Sequence, residues 1–159
     1  MEKQNIPEQL IAEKLKEKGI TLAVAESCTG GLISHRVTNI PGSSEYFKGG
    51  VVAYSNEVKT LLLYVSPDIL EKHGAVSSQV AKAMAKGART VLGANIAVAI
   101  TGIAGPAGGS KTKPVGLAFL AIAFSDDDIH TKKVIVEGER ESLKEQFADE
   151  ALDLVLKNI

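Results

Sequence analysis

The chain has 159 residues, of which 45% are hydrophobic and 23% charged, and its net charge is −1. This balance is typical of one soluble globular domain and argues against a general nucleic-acid-binding or acidic-membrane-binding role. No apolar run is long enough to span a bilayer, and the first residues lack the apolar region of a secretory signal. Because Cys28 is the single cysteine, no intramolecular disulfide can form. This cysteine content suits a protein of the reducing cytoplasm.

In chain order, the sequence predicts helices that alternate with buried strands and then a hairpin. Helical spacing and capping residues predict helices over residues 7–18, 31–38, 57–64, 66–72, 80–91 and from 140 onwards. Apolar runs with β-branched residues predict strands over residues 20–25, 49–54, 95–101, 115–124 and 129–136. Residues 43–47 predict one short turn.

The spacing of apolar residues also predicts which helix faces are buried. In the third helix, Val58, Leu61 and Leu62 are expected to face the core. In the fifth helix the expected buried stripe comprises Val80, Met84, Ala88 and Val91. In the last helix it comprises Leu143, Phe147, Ala151, Leu154 and Val155.

Together these elements predict an α/β fold in which residues 1–159 form one domain. Strand–helix units followed by a hairpin indicate a three-layer α/β/α sandwich over a mixed, mostly parallel five-stranded sheet. The carboxyl ends of the parallel strands are expected to gather Ser27, Thr101 and two glycine-rich loops at one edge. Open α/β sheets bind their ligands at such an edge.

Residues 21–31, Thr-Leu-Ala-Val-Ala-Glu-Ser-Cys-Thr-Gly-Gly, are the first candidate functional segment. A buried strand here runs through Ser27 and Cys28 directly into a helix. Free backbone N–H groups at a helix N-terminus favour an anion or a developing oxyanion, so the junction suits a nucleophile. The alternative is an ordinary connection in which the serine and threonine only cap the helix.

Lys59 is the second candidate because it falls in the first turn of a predicted helix, where the helix field disfavours a cation. If the side chain is also shielded from water, its pKa falls towards that of a neutral amine able to act as a base. The alternative is a solvated lysine.

A second glycine-rich loop covers residues 101–109 and can contact a ligand, although it lacks the lysine of a P-loop. The alternative is a flexible connection. Arg140 opens the last helix and is a candidate contact for a phosphate group, or else a surface arginine. His35, His73 and His130 are scattered, so no spacing typical of a metal site is present.

Five segments occur here in one order, and together they resemble a known family. They are residues 25–31, 40–44, 50–56 with Lys59, 73–77 and 101–106. Their sequences are AESCTGG, IPGSS, VVAYSN after Gly50, HGAVS and TGIAGP. On these motifs the chain resembles the C-terminal domain family of the competence/damage-inducible protein CinA, which includes stand-alone nicotinamide mononucleotide (NMN) deamidases.

The resemblance implies hydrolysis of the NMN carboxamide to nicotinate mononucleotide and ammonia, without a metal or another cofactor. It also implies a homodimer or a higher homo-oligomer. Ser27 matches the family nucleophile, and Tyr54 and Lys59 match the residues that assist it. Lys144 stands where relatives often have a second arginine, four residues after Arg140.

The expected oxyanion donors are backbone amides of the turn after the nucleophile, and the expected substrate contacts come from both glycine loops and the last helix. This set comprises Cys28, Thr29, Gly30, Gly31, Thr101, Gly102, Gly105 and Arg140.

Three alternatives remain open on the sequence. Cys28 can be the nucleophile, since a thiol at a helix N-terminus is readily activated. The chain can also be a nucleotide-binding or regulatory module without turnover. A purely structural assembly protein would explain neither the two glycine loops nor the cluster of hydroxyl groups.

Overall fold

A mixed five-stranded sheet lies at the centre of the protein in the computed structural model, which describes residues 6–159. The strands are β1 (Leu22–Glu26), β2 (Phe47–Val52), β3 (Ile96–Gly102), β4 (Leu117–Ala123) and β5 (Ile129–Ile135). Their order across the sheet is β2-β1-β3-β4-β5, with β1 parallel to both β2 and β3. The hairpin of β4 and β5 is antiparallel and lies at one side of the sheet, as predicted.

The central strands are apolar because helices cover both faces of the sheet. Every residue of β1 is buried, as are six residues of β3. β1 begins two residues later than the predicted 20–25 and continues to Glu26, a charged residue that is fully buried.

Within residues 6–159, six helices surround the sheet, and three of them have a serine as N-cap. The helices are α1 (Pro7–Lys18), α2 (Leu32–Thr38), α3 (Asn56–Leu63), α4 (Pro67–His73), α5 (Ser78–Leu92) and α6 (Arg140–Lys157). The side chains of Ser55, Ser66 and Ser77 each accept a hydrogen bond from a backbone amide in the first turn of the following helix. The predicted turn at residues 43–47 contains a 3₁₀ helix, Ser43–Glu45. Within residues 6–159, none of these helices is both long and apolar enough to cross a membrane.

Two apolar cores lie on opposite faces of the sheet. Leu22 and Val24 of β1 pack into the core beneath α1, α2 and α6, whereas Ala23 and Ala25 pack into the core beneath α3 and α5. All five residues predicted on the inner face of α6 are buried, which confirms that prediction. Across this first layer, Arg36 of α2 forms ion pairs with buried Glu8 of α1 and with Asp149 of α6.

Two of the predicted buried faces need correction. Leu61 and Leu62 are 68% and 44% exposed, because α3 turns Lys59 and Leu63 towards the core instead. A helix of eight residues has too few turns for the spacing of its apolar residues to determine which face is buried. In α5, Val91 is 46% exposed near the end of the helix, while Leu92 packs against the core.

The glycine within α5 marks a close approach between two helices. A Cβ atom built on Gly87 would lie 1.9 Å from the carbonyl oxygen of Leu63, the last residue of α3. The two helices can therefore pack at this distance only with glycine at position 87, and this packing holds α3 against the sheet.

We predict that Gly87→Ala destabilises the protein by about 1–3 kcal/mol, the usual cost of overpacking, although alanine normally stabilises a helix interior. Urea unfolding monitored by circular dichroism measures the change. Gly93→Ala is the control, since a Cβ there meets nothing within 4 Å and only its φ of +61° opposes the substitution. A Gly87→Ala variant as stable as the parent would contradict this packing.

Candidate functional site

A cavity of about 170 Å³ opens at the carboxyl ends of β1 and β3. Of the residues predicted from sequence, those that line it are Ser27, Cys28, Tyr54, Lys59, Thr101, Gly102 and Arg140. The fold therefore brings both strand ends and the first residue of α6 to one point. Of the remaining predicted residues, Thr29, Gly30 and Gly31 continue the turn after Ser27, and Gly105 lies in the second glycine loop.

The central contact of the cavity joins Lys59 to Ser27. Lys59 Nζ lies 2.9 Å from Ser27 Oγ, 2.9 Å from the carbonyl oxygen of Ala53 and 3.0 Å from that of Tyr54. The lysine is only 1% exposed and the serine 7%. Ser55 caps α3 and so places Lys59 one turn into the helix, directly above the end of β1.

The surroundings of Lys59 favour its neutral amine. Burial lowers the pKa of Lys59, the direction expected from the sequence, and no carboxylate within the described residues pairs with it. In the neutral form, two N–H groups can donate to the carbonyl groups of Ala53 and Tyr54. The remaining lone pair then faces the Ser27 hydroxyl and can accept its proton.

Cys28 lies beside this pair but in an unreactive state. Burial raises the pKa of the Cys28 thiol to about 12, and the nearby backbone amides and Lys59 offset only part of that effect. The thiolate is the nucleophilic form of cysteine, and it is scarcely populated near neutral pH at such a pKa. The raised pKa of the thiol, together with the contact of Ser27 with Lys59, therefore favours Ser27 over Cys28 as the candidate nucleophile.

The N-terminus of α2 is already occupied by an anion from within the chain. Glu26 accepts hydrogen bonds from the amides of Gly31 and Ile33 and from the amide and hydroxyl of Ser34. Thr29 Oγ1 also donates to Glu26, at 2.7 Å. The expectation of free N–H groups at this helix end is therefore wrong for Gly31, Ile33 and Ser34, whose amides already donate to Glu26.

The set of possible oxyanion donors narrows as a result. The Gly30 amide donates to the Ser27 carbonyl at 3.2 Å, and the Gly31 amide donates to Glu26 at 3.2 Å. Among residues 6–159, the Cys28 and Thr29 amides donate to no oxygen atom. The sequence analysis did not identify Glu26 as a residue of the site. The one clue to it was a carboxylate at the end of an otherwise apolar strand.

Tyr54 and Arg140 meet at the mouth of the cavity. Arg140 Nη2 lies 3.2 Å from Tyr54 Oη, and Arg140 Nη1 donates to the carbonyl of Gly105 at 2.6 Å. Tyr54 is 61% exposed, and its hydroxyl makes no hydrogen bond to Ser27 or Lys59 in the part of the chain described. Its contact with Lys59 runs through its carbonyl oxygen instead.

The first part of the second glycine loop is held by contacts at Thr101, Gly102 and Gly105. A Cβ on Gly102 would lie 2.8 Å from Ala118 Cβ, so the end of β3 lies close against β4. Gly105 has a φ of +67°, a conformation that glycine adopts readily. Thr101 is buried and donates its hydroxyl to the Ala75 carbonyl at 2.8 Å, which ties the loop after α4 to the cavity.

A second cation of α6, Lys144, lies near the turn that follows Ser27. Lys144 Nζ is 3.7 Å from where a Cβ of Gly30 would be, one helical turn beyond Arg140. Helix α6 therefore carries Arg140 in the lining of the cavity and Lys144 beside the turn that follows Ser27. Within residues 6–159, no group of three or more His, Cys, Asp or Glu side chains could hold a metal ion.

Fold and site together define a class of protein: a three-layer α/β/α sandwich with a buried serine–lysine pair at the carboxyl edge of its sheet. The profile of the family described as "CinA C-terminal domain" matches residues 4–159, and the chain belongs to this family.

Relatives of known sequence or structure agree with this assignment. The chain is 49% identical over 152 residues to a CinA-like protein of Acidobacterium capsulatum, covering 96% of this chain and 36% of that protein. It is 48% identical over 158 residues to a CinA-like protein of Geobacter sulfurreducens, covering 99% of this chain and 38% of that protein. The chain thus spans little more than a third of these two relatives.

Among solved structures, the chain is similar to the competence/damage inducible protein CihA from Agrobacterium tumefaciens. The TM-score is 0.90 at 38% sequence identity, and the match covers 95% of this chain and 94% of that one. The competence or damage-inducible protein from Enterobacter asburiae matches with a TM-score of 0.91 at 32% identity, over 98% of this chain and 99% of that one.

We predict that Cys28 resists alkylation in the native protein at pH 8, because the raised pKa leaves almost no thiolate and burial blocks access. Mass spectrometry after iodoacetamide treatment measures the modified fraction with time. The same reaction in 8 M urea should go to completion within minutes and is the control. Equal rates in the two conditions would refute the assigned environment of the thiol.

Proposed function

We propose that the protein is a serine amidohydrolase that converts NMN and water to nicotinate mononucleotide and ammonia. The observation that carries this proposal is the buried contact of 2.9 Å between Lys59 Nζ and Ser27 Oγ. A serine is a weak nucleophile until a base removes its proton, and a lysine held neutral by burial can be that base. Membership of the CinA C-terminal domain family supports the reaction class.

In the first half of the reaction, Lys59 takes the hydroxyl proton while Ser27 Oγ attacks the carboxamide carbon. The carbonyl oxygen becomes an oxyanion, and the Cys28 and Thr29 amides are the donors available to stabilise it. Each such donor is commonly worth about 3–4 kcal/mol in the transition state. The proton that Lys59 took from Ser27 then passes, by way of the Tyr54 phenol, to the amide nitrogen as the C–N bond breaks. Ammonia leaves, Lys59 is neutral again, and a nicotinoyl ester remains on Ser27.

In the second half, Lys59 removes a proton from a water molecule that attacks the ester carbon. Collapse of this second tetrahedral intermediate breaks the ester bond, and the proton returns to Ser27 Oγ. Nicotinate mononucleotide is released and Lys59 is neutral again. The scheme consumes one water and uses only groups that line or adjoin the cavity.

The mouth of the cavity supplies charge for the nucleotide part of the substrate. We assign Arg140 and Lys144 to attraction of the phosphate group, because both are cations carried by the first turns of α6. Tyr54 lies between this region and the buried pair, and we assign its phenol to proton transfer towards the departing ammonia. In the cell, we propose a cytoplasmic homodimer or higher homo-oligomer, as the family resemblance implies.

A nucleotide-binding module without turnover is the competing function. Such a module gains nothing from a lysine buried beside a serine without a carboxylate, an arrangement that costs folding free energy. The arrangement is useful when the amine must accept a proton. The competing function predicts that NMN binds and that no ammonia appears.

We predict that Ser27→Ala and Lys59→Met each lower kcat for ammonia release from NMN by at least about 10,000-fold, as expected for residues that act as one unit. A coupled ammonia assay with purified protein measures the rates, with nicotinamide, nicotinamide riboside and NAD as comparison substrates. Cys28→Ala keeps the backbone amide and should retain activity to within about tenfold. Normal turnover by Ser27→Ala would exclude the scheme.

We also predict that kcat/KM for NMN rises with pH through an inflection below the ordinary lysine value of about 10.4. Burial lowers the pKa of Lys59, so the base is protonated and inactive below that pKa and free above it. Rate measurements in overlapping buffers locate the inflection. Lys59→Met should retain no such inflection in its residual activity, and a rate that falls as the pH rises would contradict the role of the lysine.

A further inference from the structure

Glu26 is a buried carboxylate without a cationic partner. Its side chain is fully buried, and none of the ion pairs formed by the described residues includes it. An uncompensated carboxylate in a protein core is strongly unfavourable. The charge must therefore be stabilised by dipoles, and the α2 N-terminus provides them.

The hydrogen bonds of Glu26 divide between its two oxygen atoms. Oε1 accepts from Thr29 Oγ1 at 2.7 Å, from the Ile33 amide at 2.9 Å and from the Gly31 amide at 3.2 Å. Oε2 accepts from the hydroxyl of Ser34 at 2.7 Å and from its amide at 3.0 Å. One side chain thus joins the end of β1 to the start of α2, at Gly31, Ile33 and Ser34.

The nucleophile lies inside the loop that these hydrogen bonds close. The backbone leaves Glu26, passes through Ser27 and Cys28, and returns at Thr29 to the Glu26 carboxylate. The flanking backbone is held as well, since the Ser27 amide donates to the Ile100 carbonyl at 3.2 Å and the Glu26 carbonyl accepts from the Ala53 amide at 2.8 Å. The location of Ser27 Oγ relative to Lys59 therefore depends on the carboxylate.

From this geometry we infer that Glu26 is a positioning residue, which holds Ser27 Oγ within reach of Lys59 and orients the Cys28 and Thr29 amides at the cavity. The carboxylate does not touch the reacting atoms. It accepts hydrogen bonds from the amides of Gly31, Ile33 and Ser34, which would otherwise be free to bind an anion. The amides of Cys28 and Thr29 then remain as the hydrogen-bond donors for the oxyanion. In its catalytic part this inference rests on the function proposed above.

The first test compares two buried glutamates. Glu26→Ala should lower kcat for ammonia release from NMN by about 100-fold, the effect expected when reacting groups are displaced by about 1 Å. KM should change by less than about threefold, since Arg140 and Lys144 are untouched, and the pH inflection of Lys59 should stay where it is. Glu8→Ala is the matched control and should lower the unfolding temperature while kcat remains unchanged.

A milder variant guards against a failure of Glu26→Ala to fold. Thr29→Val removes the hydroxyl that donates to Glu26 and keeps the Thr29 amide, so kcat should fall by about tenfold with the fold intact. If Glu26→Ala folds and keeps kcat within threefold of the parent, Glu26 is merely structural and the inference is overturned. The same holds for a fully active Thr29→Val.

A measurement without substrate separates this inference from the proposed reaction. Backbone ¹⁵N relaxation should give order parameters near 0.85 for residues 27–30 of the parent and below about 0.6 in Glu26→Ala, with β3 and α6 unchanged. If the parent releases no ammonia from NMN, the proposed function fails while the order parameters still decide the role of Glu26. Unchanged order parameters at residues 27–30 would overturn the inference whatever the substrate is.

Discussion

The burial of one amine beside one hydroxyl is the constraint on which the rest of this site depends. Lys59 Nζ has three polar neighbours, and two of them are carbonyl oxygens that can only accept. The third is the hydroxyl of Ser27, which can donate to the amine as well as accept from it. The neutral lysine is therefore fully hydrogen-bonded in the orientation that the proposed role as a base for the serine requires.

The site keeps the Glu26 carboxylate apart from the Lys59 amine, and this separation affects the pKa of the lysine. Glu26 accepts hydrogen bonds from amides of α2, whereas Lys59 donates to the carbonyl groups of Ala53 and Tyr54, which lie between β2 and α3. Had the two formed an ion pair, the carboxylate would have favoured the ammonium form and raised the pKa of the lysine. With the carboxylate turned away into the helix, burial dominates and the pKa of Lys59 falls.

The last helix links the core to the mouth of the cavity. Its inner face, including Leu143 and Phe147, is buried against the sheet and α1. The same helix carries Arg140 to the Tyr54 phenol and Lys144 to the turn that follows Ser27. Packing of α6 thus adds Arg140 to a cavity that is also lined by Lys59 of α3, by the ends of strands and by loops.

Local patterns in the sequence were enough to predict the helices, the strands, the sandwich architecture and the strand–turn–helix junction at Ser27. These features follow from periodicity, capping serines and glycines, which act over a few residues. Which face of α3 is buried could not be derived in this way. A helix of eight residues is too short for its apolar spacing to determine that face, so packing against other elements determines it. Sequence spacing therefore assigned Leu61 to the core, whereas the structure buries Lys59 against Ser27 and the residues that follow β2.

Only the tertiary structure decided which side chains meet. Lys59 and Ser27 are 32 residues apart, and Arg140 and Tyr54 are 86 apart, so their contacts depend on the order of strands in the sheet. The hydrogen bonds of Glu26 could not be predicted either, since a glutamate at the end of a strand does not reveal which groups its carboxylate contacts. Sequence by itself determined the kinds of groups available and the edge of the sheet they occupy. Long-range packing determined their partners, because hydrogen bonds and burial act between neighbours in space.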